Sequence, residues 1–480
     1  MPETAPPPNK ESLQESLEQV NSLLHKHRLI ESLVHKQAMP RHALVESLVH
    51  KQNLAELQTR LDLLHPADVA YILESLPIDD RLLVWDMVKA ERDGEILLEV
   101  SDAVRETLIA DMDSEELLAA AETLDTDEIA DLAPDLPQDV LQELLVSLDA
   151  QNRAQLQSAM SYPEDTVGAL MDFDFVTIRD DISLEVVLRY LRRLGDLPGH
   201  TDKLFVVGRD NTFQGVLPFT RLLIHDPDVT VAAVMADDAV IFYPDGRAAD
   251  AAQAFERYDL VSAPVVTEDK KLLGRLTVDA VMDFIREESE SERLSFAGLR
   301  EEEDLFANVW NRVRNRLPWL AVNLCTAFLA SRVISVFEGT IVKIVALATL
   351  MPIVAGMSGN TGYQTATLII RGLALKQVNW SNLRTMIVKE IGVCAINGLL
   401  LGGIIGFVAY LLYHSVALGV VMASAMLLNF LVAAMAGIFI PMTMHRLGRD
   451  PALAAGVLLT ATTDNMGFFI FLGLATIFLV

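Results

Sequence analysis

Near the end of the chain, the run "LLTATTDNMGFFIF" (458–471) puts one carboxylate, Asp464, inside a stretch otherwise apolar enough to cross a membrane. An intramembrane carboxylate costs roughly a few kcal/mol on insertion scales, which makes it a functional candidate by default. Its neighbours Thr460, Thr462, Thr463 and Asn465 supply oxygens and tolerate water. The alternative is a packing carboxylate, hydrogen-bonded to a helix neighbour. A second stretch, "GMSGNTGYQ" (356–364), is polar and glycine-rich, yet no Asp, Glu, Lys or Arg occurs from Ile344 to Ile370. Glycines let a backbone bend or approach closely, and non-helical backbone at membrane depth is tolerated only inside protein or beside water. The segment is therefore expected to offer free carbonyls together with Asn360, Thr361 and Gln364. Those are hard oxygen ligands, and with a carboxylate they suit a hydrated divalent cation such as Mg²⁺. A glycine-rich helix-packing surface is the competing reading.

These residues need elements to hold them, and the charge distribution says where those elements lie. The 480 residues carry a formal net charge of −28. Leu317–Val480 holds eight Lys/Arg against four Asp/Glu, whereas residues 1–316 hold 30 basic against 62 acidic residues. So acidic a first part disfavours nucleic-acid binding. It is either a solvated surface or a surface that binds cations. Cys325 and Cys394 both fall in apolar runs and give no disulfide framework or zinc pattern. The opening "MPETAPPPNK" lacks signal-peptide character, so the first 316 residues are expected in the cytosol.

Along the chain, "LIESLVHKQ" (29–37) recurs as "LVESLVHKQ" (44–52), a local helical duplication whose His35 and His50 read as surface residues. Residues 53–160 are short amphipathic pieces with leucines at helical spacing, such as "QDVLQELLVSLD" (138–149), which suggests a small superhelical α domain. From 165 to 285 a strand–turn–strand–helix unit repeats with a period of 59, setting Gly215 against Gly274. This unit resembles a tandem pair of cystathionine-β-synthase (CBS) domains, a regulatory module. A charged helical connector follows, 281–316, and then five expected spans at 317–337, 341–369, 391–413, 416–445 and 451–479. Arg371, Lys376, Arg384 and Lys389 after span two, and Arg446 and Arg449 after span four, orient the chain with its N-terminus inside and its C-terminus outside. No phosphate loop or nucleophile–base pair appears, so no enzyme is expected.

The strings "PIVAGMSGNTGYQTATLIIRGLAL" (352–375), "KEIGV" (389–393), "RLGRDPAL" (446–453) and "TATTDNMG" (460–467) make the chain resemble the MgtE family of bacterial magnesium channels over nearly its full length. The resemblance implies a multi-domain protein. Its parts would be a helical extension (1–60), a soluble all-α superhelical N domain (61–163), an α+β tandem CBS domain pair (164–229 and 230–288), a connecting plug helix (289–316) and a five-span α-helical transmembrane domain (317–480). It also implies a homodimer in the plasma membrane with no obligate protein partner. Two copies of Asp464 would hold one hydrated Mg²⁺, with Asn360 in the pore segment and Asp450 near the inner mouth. Asp450 reads equally as an N-cap followed by Pro at N1. Regulatory Mg²⁺ would be sensed by Asp127, Asp131, Asp259, Asp283 and Glu288, with Glu287 adjacent. Taken singly, each of these acids also reads as a solvated surface group. Ala280 and Arg221 stand where a CBS motif usually carries a ribose-binding Asp, which puts adenine-nucleotide binding in doubt. The implied activity is passive Mg²⁺ uptake, gated shut by cytosolic Mg²⁺. A secondary divalent-cation exchanger and a membrane-anchored CBS sensor are the rival classes.

Overall fold

The computed structural model describes residues 13–34, 54–299, 304–374, 377–378, 382–448 and 451–480. His35, His50 and Asp450 lie outside them. The chain forms two units, residues 1–288 with 304–307, and residues 289–303 with 308–480.

The first unit opens with α1 (Leu13–Val34), and residues 54–61 are again helical. A series of short helices follows: α2 (Pro66–Glu74), α3 (Ile78–Trp85), α4 (Asp93–Glu99), α5 (Asp102–Ile109), α6 (Ser114–Ala121), α7 (Thr126–Leu132), α8 (Gln138–Ser147) and α9 (Ala150–Ala159). They are short because acids and prolines punctuate the sequence. The start of α6 is a capping box in which Asp113 Oδ1 accepts from the Glu116 N–H and Glu116 Oε2 accepts from the Asp113 N–H, both at 2.9 Å. Leucines and valines at helical spacing turn inward, so Ile72, Leu73, Leu97, Leu108 and Leu144 share one core. Inside that core Arg81 is 0% and the Asp304 side chain 6% exposed. The guanidinium grips Asp304 through two bonds of 2.8 and 3.2 Å and donates to the Leu73 and Leu76 carbonyls. Asp304 is thereby clasped to the N-terminal helices.

The repeat read in the sequence is present in the strands. β1 (Thr177–Arg179) pairs in parallel with β2 (Lys203–Val207), which pairs antiparallel with β3 (Phe213–Pro218). β4 (Ser262–Val266) pairs antiparallel with β5 (Leu272–Thr277), each strand 59 residues after its counterpart. Between them lie α10 (Leu184–Leu194), α11 (Phe219–Ile224), α12 (Val231–Val234) and α13 (Ala248–Tyr258). α14 (Val278–Ala297) runs on directly from β5, so no separate helix begins near 289. It stops at Gly298, whose φ of +72° suits glycine, and a Cβ there would meet the Trp319 indole nitrogen at 1.9 Å.

The second unit contains α15 (Val309–Val336), α16 (Glu338–Lys343), α17 (Ala346–Ala374), α18 (Leu383–Tyr413), α19 (Val416–Arg446) and α20 (Pro451–Leu479). Among the described residues four helical stretches are long and apolar enough to cross a membrane: Val309–Val336, Leu383–Tyr413, Val416–Arg446 and Gly456–Leu479. α17 is long enough at 29 residues, but Ser358, Asn360, Thr361 and Gln364 dilute its apolarity.

Two sequence expectations fail here. The segment 356–364 is continuous α-helix inside α17 and offers no free carbonyls. Its hydroxyls fold back on the helix instead: Ser358 donates to the Val354 carbonyl, Thr361 to Met357, Thr365 to Thr361 and Thr367 to Tyr363. That i−4 bonding satisfies the polar side chains locally and keeps the helix intact. Its glycines serve packing: a Cβ on Gly437 of α19 would lie 2.7 Å from the Gly362 carbonyl oxygen. α18 also begins at Leu383, not near 391, so Glu390 lies within a candidate span and Asp464 is not the sole acid there.

Candidate functional site

Oxygen-bearing side chains gather in two places, one in each unit. In the membrane unit, α17 and α20 run antiparallel at close range. Gly362 packs on Leu459, and a Cβ on Gly359 would stand 3.7 Å from Thr463 Oγ1. Asn360 is the neighbour of Gly359 and Asp464 the neighbour of Thr463, so the two sequence candidates sit at one level of the bundle. Asn360 is exposed on a stripe with Pro352, Gly356, Gln364 and Thr367, and Asp464 is half-buried. Among the described residues no hydrogen bond or ion pair reaches Asp464. The structure thus lacks the helix-neighbour bond that the packing alternative required.

Behind this stripe lies a polar interior that sequence reasoning missed. Ser358, Asn429 and Thr463, one each from α17, α19 and α20, are all 0% exposed. Asn429 Nδ2 donates to Ser358 Oγ at 2.6 Å. The available signal was a lone Asn in a 31-residue apolar helix, since a buried amide in a bundle marks an interhelical bond. Glu390 was missed as well, and its Oε1 accepts from the buried Thr365 hydroxyl at 2.7 Å.

In the first unit, carboxylates line a seam between the N-terminal helices and the CBS region. α7 supplies Asp127, Glu128 and Asp131. The Asp125 N–H donates to Glu128 Oε2 at 2.8 Å, so two of the local acids serve the helix start, where negative charge also suits the helix dipole. Burial pushes the half-buried Asp127 carboxyl up to about 8, and Asp172 across the seam adds to the rise. Asp131 is exposed on α7. Partial desolvation there takes it to about 7, against the pull of nearby Arg105 and with the push of Glu287. Glu287 and Asp283 stand at the exposed rim on α14. Partial desolvation raises both, and Asp102 and Asp283 raise Glu287 further. Asp172 is raised by burial and opposed by Arg275, whose guanidinium holds it in a buried pair at 2.7 Å. Asp172 and Asp174 were absent from the sequence reading, because only folding brings the stretch before β1 to α7.

Asp131, Asp283 and Glu287 therefore share one electrostatic neighbourhood, and Asp127 shares another with Asp172 and with Glu128, which also bears on Asp131. Asp259 has a local explanation: it is the exposed C-cap of α13 at φ +50°, with its N–H donating to the Phe255 carbonyl. Glu288 is exposed on α14. Among the described residues no three of His, Cys, Asp and Glu converge as a ready metal-holding group.

Three family models match the chain: a divalent cation transporter model over 351–474, an MgtE intracellular N domain over 64–165 and a CBS domain over 231–287. The magnesium transporter MgtE of Thermus thermophilus is 30% identical over 429 residues, covering 88% of this chain and 95% of that one. The magnesium transporter MgtE of Bacillus subtilis is 27% identical over 424 residues, covering 88% and 94%. A solved cytosolic domain of the Mg²⁺ channel MgtE in complex with ATP is 28% identical, covers 48% of this chain and 99% of that chain, and has a TM-score of 0.36.

Proposed function

The chain belongs to the MgtE family of divalent cation transporters, and from that premise we propose that it is a Mg²⁺-selective channel for magnesium uptake across the plasma membrane. The family is one of transporters, not enzymes. The observation that carries the reading is Asp464, a carboxylate without a bonded partner among the described residues, at the level of Asn360 on the adjacent helix. A carboxylate held at membrane depth without a protein counter-ion suits a passing cation.

One carboxylate cannot neutralise a divalent ion, so the working unit is a homodimer with two copies of Asp464 on a two-fold axis. α17 is the fifth span; its polar stripe follows from lining a wet path instead of facing lipid. The N-terminus is cytoplasmic and the C-terminus outside. With the inside negative, the field favours divalent entry.

The acidic seam is the sensor. At low cytosolic Mg²⁺ its like charges separate the N domain from the CBS pair. Bound Mg²⁺ bridges Asp127, Asp131, Asp283, Glu287 and Glu288, and α14 and the connector then hold the path shut. The ion must bind the closed form more tightly, or it cannot shift the balance.

The test is flux. Asp464→Ala in proteoliposomes should bring Mg²⁺ uptake down to the level of empty vesicles, with the dimer intact by crosslinking. Unchanged uptake by correctly inserted protein sinks the pore reading.

A further inference from the structure

Asn429 is wedged between the two helices that carry the proposed ion path. It sits midway along α19 and is 0% exposed. A buried amide without partners is costly, and leucine, with the same branching and number of side-chain heavy atoms, would occupy the site without that cost. What the amide adds is direction. Nδ2 donates to Ser358 Oγ at 2.6 Å and to the Val354 carbonyl at 3.3 Å, both on α17. Ser358 in turn donates to the Val354 and Ala355 carbonyls, so its oxygen is free to accept. On the far side, α20 presents Gly467, where a Cβ would lie 2.5 Å from Asn429 Nδ2. Oδ1 has no hydrogen-bond partner among the described residues, so the amide is held by its nitrogen alone.

The helical repeat turns this contact into a constraint on the path. Residues two positions apart on an α-helix lie about 200° from each other around its axis. Fixing Ser358 inward against Asn429 therefore fixes Asn360 outward, onto the exposed stripe. Gly467, one turn beyond Asp464, lets α20 approach the same amide. We propose that Asn429 is a positioning residue for cation passage: it sets the rotation of α17 and its height against α20, so that Asn360 and Asp464 meet the same ion. The proposal rests on the pore reading above.

Residues that orient a ligand commonly change metal affinity by about ten-fold or more when removed. In proteoliposomes of the full chain with Mg²⁺ as the probe, Asn429→Leu should raise the half-saturating Mg²⁺ concentration on that order. It should also lower the Mg²⁺ over Ca²⁺ preference. Asn429→Gln, which keeps the amide, should recover part of both. A purely packing role would change only the amount of inserted protein and the maximal flux. Wild-type half-saturation and ion preference in Asn429→Leu would overturn the proposal. Should that variant fail to insert, Ser358→Ala removes the acceptor of the 2.6 Å bond and carries the same expectation and the same refutation. Asp464→Ala run in parallel separates the two ideas. Loss of flux there with a silent Asn429→Leu rejects positioning alone, whereas retained flux there rejects the pore.

Discussion

In the acidic seam of the first unit, Asp127 lies near Asp172 and Asp131 lies near Asp283 and Glu287 at an exposed rim, and Arg105 and Arg275 offset only part of their charge. In the membrane bundle, Asp464 stands apart from any ion pair among the described residues, while the polar groups behind it are bonded to one another or to their own helices. The first arrangement answers to the number of charges and to what screens them. The second answers to angstroms and rotations. Substitutions in the seam should thus act by degrees, and substitutions in the bundle all at once.

The largest effect separates the two regions outright. Asp464→Ala, silent in flux, should keep full Mg²⁺-dependent protection of residues 281–316 from limited proteolysis. Loss of protection as well would mean that the regions are not independent. Next comes the buried pair that serves as a control for paired charge. Arg81→Met leaves the Asp304 charge buried without its ion-pair partner, held only by the Phe306 N–H, which should cost about 3–5 kcal/mol. Hydrogen exchange across α2 and α3 in the full-length protein reads that loss, and unchanged protection would contradict the clasp.

Neutralising Asp127, Asp131, Asp283 and Glu287 together should abolish the Mg²⁺-dependent protection, whereas any one of them should move its midpoint only several-fold, roughly the 1 kcal/mol scale of a partly exposed charge. A single substitution that abolishes the response would replace the shared surface with one dominant site.

A gentler perturbation is pH. Asp127 and Asp131 are raised from 3.8 to about 8 and about 7, so the closed seam favours their protonated forms. Raised carboxyls contribute stability that is fully present below the unfolded value, near 4, and is lost as pH rises through 7 to 8. In chelator, the seam should be more compact at pH 6 than at pH 8.5, and added Mg²⁺ should narrow that difference. Distance measurements between labels on α7 and α14 check the sign; opening on acidification would refute it. Smallest of all, Asp259→Asn should leave the midpoint nearly unchanged, because that residue is an exposed helix cap whose N–H bonds the Phe255 carbonyl.

Several features were legible before folding. The 59-residue repeat fixed the paired strands because both copies carry the same apolar runs and a glycine at the same strand position, Gly215 and Gly274. The lone carboxylate in an apolar span marked Asp464 for the plain reason that charge at membrane depth is expensive. Composition separated an acidic part from an apolar part, and helical spacing put Asp127 and Asp131 on one short helix.

Other features depended on which elements meet. The glycines of 356–364 could bend a chain or let helices touch, and only the Gly362–Gly437 and Gly359–Thr463 approaches decide for touching. Asn429 reads as an oddity in an apolar run until Ser358 and Gly467 arrive on either side of it. Asp172 is one acid among many until Arg275, 103 residues away, holds it across from Asp127. Residue type sets what a side chain can bond or repel, and sequence carries that in full. Partners distant in the chain are chosen by packing, and packing is a property of the folded molecule alone.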